Sequence, residues 1–153
     1  MKPLQALIFV SAASLLGMVS PTLHAHSDEY LDTQKSPNGG QMRMAGIYHF
    51  ELVMAKDRKE ARESPVVVHV TDHAGAKVPT AGATGTATIL AGKQKATATL
   101  VPDGDNRMKG AAKYASTPEL KAVVSITFPG KPAEQARFTP ITGPTVAAIE
   151  QKR

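Results

Sequence analysis

The chain has 153 residues, no cysteine and no tryptophan, with 18 lysines and arginines against 13 acids and a formal net charge of +5. The missing cysteines exclude disulfides, thiolate metal centres, cysteine nucleophiles and a lipobox for lipid attachment. Acids and bases are interspersed rather than gathered into a basic stripe, and three tyrosines with four phenylalanines are too few for nucleic-acid stacking platforms.

Residues 1–25 read as an export signal. Lys2 supplies the positive start, Leu4 to Val19 form an apolar stretch broken only by Gln5 and small residues, and Pro21 ends it. Leu23-His24-Ala25 closes on the small residue that signal peptidase prefers, so cleavage is expected after Ala25. The run is shorter than the ~20 apolar residues of a membrane span and lacks a basic stop-transfer flank. The expectation is a periplasmic protein without a lipid anchor or a span in its mature part, beginning at His26. One ordinary domain's worth of chain is left, enough to bury a core without staples.

Residues 26–38 are polar and aperiodic and predict a flexible N-terminal arm. Tyr48 to Met54 alternates, with Tyr48, Phe50, Leu52 and Met54 on one side, and predicts a strand. A charged connection, Lys56 to Ser64, leads to the β-branched run Pro65 to Thr71, whose Val66, Val68 and Val70 point inward. After a turn region holding Gly75 and Pro79, strands are predicted at Gly85 to Leu90, Lys95 to Val101, Met108 to Tyr114 and Leu120 to Phe128. Their separators, Ala91-Gly92, Pro102 to Asp105 and Ser116-Thr117-Pro118, carry turn chemistry. Gln135 to Phe138 adds a short closing strand, and Thr145 to Arg153 suits one or two helical turns. The pattern predicts an all-β domain over 39–139, an immunoglobulin-like antiparallel β-sandwich of about seven strands, followed by a tail at 140–153. A small barrel is the alternative.

The first two strong strands suggest a hairpin. If paired residues sum to about 118, Phe50 faces Val68 and Leu52 faces Val66, while His49 faces His69 on the outward side. Two imidazoles so placed could share a metal ion, and a one-residue slip would bury them and expose the valines. His73 lies four residues beyond His69, ~13 Å along a straight strand, so only a bend at Asp72 would bring it in. Met42 and Met44 share a face just before the first strand, and thioethers suit Cu(I) or Ag(I). His26, as a new amino terminus, would pair its amine and imidazole as a Cu(II) chelate.

Catalytic signatures are absent. No nucleophile elbow or metalloprotease helix occurs, and Gly82-Ala83-Thr84-Gly85 lacks the lysine and following helix of a P-loop. Asp103-Gly104-Asp105-Asn106 fails the EF-hand pattern, because loop positions six and twelve are Met108 and Tyr114. A non-enzymatic protein is expected.

Several phrases together resemble a family. Gly39-Gly40 followed by Tyr48 to Val53, then Val68 to Gly75, Gly82 to Thr88 and Pro102 to Met108, are similar to small exported β-sandwich proteins of proteobacteria. Similar segments occur in periplasmic adaptor (membrane fusion) subunits of heavy-metal efflux pumps. The likeness spans Asn38 to Phe138, and Asn38 stands where that family often has histidine in a His-Gly-Gly phrase. It implies a periplasmic location, a context of metal stress and an efflux component as partner. The leading expectation is a non-catalytic protein that binds or buffers copper, silver or a related ion through His49 and His69, with Met42, Met44, His26 and His73 behind them. The competing one is a metal-free interaction module of the bacterial envelope, docking through an edge near Thr80 to Leu90.

Overall fold

Alternating apolar and polar side chains resolve into eight antiparallel strands in the computed structural model, which describes residues 27–138. Residues 1–25, where an export signal is expected, His26 and residues 140–153 lie outside these residues. The strands are β1 (Gln41–Ala45), β2 (Tyr48–Met54), β3 (Arg62–Asp72), β4 (Thr84–Ala91), β5 (Gln94–Pro102), β6 (Arg107–Tyr114), β7 (Lys121–Thr127) and β8 (Ala133–Phe138). Every predicted strand is present within a few residues, and β1 is additional. One short helix, α1 (Asp28–Thr33), precedes them. Among the described residues no helix is long and apolar enough to cross a membrane.

The strands form one continuous sheet in the order β1-β2-β3-β6-β5-β4-β7-β8, and its two end strands, β1 and β8, pack against each other. The all-β expectation holds, and this nearly closed sheet is nearer the barrel alternative. β4, expected at an edge, lies between β5 and β7.

Inward residues fill the interior. Phe50, Val66, Val68, Val70, Ile89, Met108, Val124, Ile126 and Phe138 are all fully buried, each large side chain contributing about 1.5–3 kcal/mol by leaving water. β6 approaches β5 so closely at Gly110 that a Cβ there would collide with the Thr99 carbonyl oxygen and sit 3.0 Å from its carbon. The Tyr114 hydroxyl accepts from Ala55 N at 3.0 Å and donates to Pro65 O at 2.8 Å. It thereby clamps the chain on both sides of the β2–β3 connection, just beyond the last ladder pair, Met54–Val66.

The arm is partly structured. Ser27 caps α1 by accepting from Tyr30 N at 3.2 Å, and Leu31 is buried. Arg43 explains why the sequence hides β1: it stands opposite inward-facing Phe50, where an apolar residue is expected. Its buried guanidinium is satisfied by α1, 2.7 Å from Asp32 and 3.6 Å from Asp28. A charge on the inner row is tolerated because its partners arrive from a different element.

Candidate functional site

The outer face of β1, β2 and β3 gathers most of the candidate donors. β2 and β3 pair with numbers summing to 120, not 118, so His49 faces Thr71, and Glu51 faces His69. The expected His49–His69 pair is therefore corrected to a diagonal one. Its physical cause is parity: a shift of two keeps every side chain on its own face, and Phe50–Val70, Leu52–Val68 and Met54–Val66 match as well as the expected pairs.

β1 supplies the other side of the row. Met44 lies directly opposite His49, and Met42 directly opposite Glu51. Both methionines are half-buried. Across the face the rows read Met44, His49, Thr71 and Met42, Glu51, His69, Arg107.

His73 joins His49 rather than His69. Asp72 Oδ1 accepts from Ala74 N at 2.9 Å and Ala76 N at 2.8 Å, while Asp72 N donates to Ala76 O at 2.9 Å. That turn bends the end of β3 back, with Gly75 at φ +82°. It stacks the His73 ring on His49, centroids 5.0 Å apart and planes 17° from parallel. His49 is buried and His73 exposed, so the pair leads from the sheet surface to solvent.

Glu51 was not among the candidates, yet it organises the site. Its Oε1 accepts from Asn38 N at 2.8 Å and Gly40 N at 3.0 Å, and its Oε2 accepts from Asn38 Nδ2 at 2.8 Å. The carboxylate is buried under the loop that feeds β1, so it anchors the strand carrying both methionines. Gly40 has no room for a side chain, since a Cβ would collide with the Leu52 carbonyl oxygen. An acid on the outward row beside His49 was the only sequence signal for this role.

His69 is half-buried, and burial holds its imidazole below the ordinary histidine pKa. The Glu51 carboxylate opposes that shift, whereas Arg107 and Lys77 reinforce it. His69 is accordingly neutral near pH 7 but sits among cations. Among the described residues, no three histidine, aspartate or glutamate side chains are grouped so as to hold a metal ion. On this face the Met42 and Met44 thioethers stand beside the imidazoles as further donors. No family model matches the chain, and no curated protein or solved structure matches it.

Proposed function

We propose that this is a non-catalytic periplasmic protein that binds copper, silver or a related heavy-metal ion on the outer face of β1–β3. The observation that carries the reading is the strand register, which sets Met44 against His49 while His73 stacks on the same ring. Thioether and imidazole together form a soft-to-borderline donor set, of use where thiols would oxidise. Half-buried methionines and an exposed His73 suit exchange of the ion with a partner more than enclosed storage, for which closed four-coordinate sites are the rule. The likeness to efflux adaptor segments supports an efflux component as that partner. Export by residues 1–25, with cleavage after Ala25, and an immunoglobulin-like relationship of the sheet belong to the same reading.

Equilibrium dialysis of the mature protein against Cu(I), Ag(I), Cu(II) and Zn(II) tests it. Saturable binding of at least one ion, tighter than about micromolar, is expected, a free energy of about −8 kcal/mol. No saturable binding by any of the four overturns it and leaves the metal-free interaction module.

A further inference from the structure

We infer that the site is a three-donor centre for a soft monovalent ion, Cu(I) or Ag(I), formed by the Met44 thioether and the imidazoles of His49 and His73, with His69 outside it. This rests on the metal-binding reading above and specifies its ion class and ligands.

Reach comes first. Directly opposed residues in an antiparallel pair have Cβ atoms about 4.5–5.5 Å apart, and the three rotatable bonds of methionine let Met44 sulfur meet the His49 ring. Two imidazole nitrogens on one ion at roughly 2 Å each lie no more than about 4 Å apart. Rings with centroids 5.0 Å apart therefore need only a side-chain rotation at His73 to converge. His73 is exposed and follows the hydrogen-bonded Asp72 turn, which sets its ring at the solvent edge of the site.

Charge and donor type then select the ion. His69 is one row away, opposite Glu51 on one side and Arg107 on the other, and a cation there would face a guanidinium. Glu51 is engaged by three N–H groups of the Asn38–Gly40 loop and offers no convenient carboxylate ligand. Zn(II) normally takes four ligands, so two imidazoles and a thioether leave it short. Cu(I) accepts soft, low-coordinate sets, and Ag(I) shares that preference. His49 is buried beside the exposed His73 ring, so the ion would be reached from the His73 side.

The test compares Ag(I), Cu(I) and Zn(II) affinities of the wild-type protein with those of Met44→Leu, His73→Ala, Met42→Leu and His69→Ala. Met44→Leu keeps volume and His73→Ala alters an exposed turn position, so both should stay folded, as circular dichroism melting will show. One Ag(I) or Cu(I) per chain is expected, with Met44→Leu and His73→Ala each weakening it by about tenfold or more. Met42→Leu and His69→Ala should change it by less than about threefold, under ~0.7 kcal/mol. Zn(II) bound more tightly than Ag(I), or Ag(I) affinity unaffected by Met44→Leu, overturns the three-donor centre while leaving a metal protein. Binding of no ion removes both.

Discussion

Glu51 offers the sharpest test of how this face is held together. Replacing it with alanine deletes the acceptor of three N–H groups, two from backbone and one from the Asn38 amide. Hydrogen bonds to a charged group are worth about 1.5–3 kcal/mol each, but Asn38 is exposed and its donors can rehydrate when the loop opens. The net cost is therefore set at about 2–4 kcal/mol rather than the full sum. For a domain of roughly 100 residues that lowers Tm by about 8–16 °C. Glu51→Gln keeps an oxygen for Asn38 N and Gly40 N and should cost only about 1–2 kcal/mol. Asn38→Ala removes the side-chain bond alone, and a double-mutant cycle with Glu51→Ala should give a coupling of about 1 kcal/mol. Urea unfolding supplies the free energies, and amide exchange should quicken at Gln41 to Arg43. A Glu51→Ala protein within about 0.5 kcal/mol of wild type, or Gln and Ala variants of equal stability, would refute the reasoning.

Gly110→Ala should cost about 2–4 kcal/mol in urea unfolding, because the new Cβ meets the Thr99 backbone and cannot be accommodated by a side-chain swing. Wild-type stability in that variant would mean that β5 and β6 are not so closely apposed. Tyr114→Phe leaves Pro65 O and Ala55 N without their shared hydroxyl and should cost about 1–3 kcal/mol; an unchanged midpoint would contradict the clamp. Because the folded pKa of His69 lies below its ordinary 6.5, the folded state resists protonation. Its stability contribution is complete above pH 6.5 and is lost as pH falls through that value towards the lowered one. His69→Gln should thus flatten the decline in unfolding free energy between about pH 7 and pH 5, and an identical slope in both proteins would exclude this role.

Alternation in β2 and β3 was enough to name the inward residues, since Phe50, Leu52, Val66, Val68 and Val70 are all buried. It was not enough to pair them. A shift of two preserves every face, and Tyr114, whose hydroxyl bridges the two strands just past the ladder, lies 59 residues from Ala55 and 49 from Pro65. No local pattern carries that information. β1 was hidden for a related reason: Arg43 occupies an inward position that makes sense only once Asp32 of α1 is beside it. The turn that redirects His73 was visible in Asp72-His73-Ala74-Gly75, but its consequence was not, because where the ring lands depends on the β2–β3 register. Met42 and Met44 share a face, as two positions i and i+2 on one strand must.

The most direct measurement of the central claim is an NMR titration of the protein with Ag(I), following methionine ε-methyl and histidine ring signals together. The account predicts that the Met44 methyl and the His49 and His73 rings shift and saturate at one ion per chain. Met54 and Met108, which face the core, should stay fixed and serve as internal controls. An unmoved Met44 methyl at saturating Ag(I), or shifts confined to His69, would contradict it.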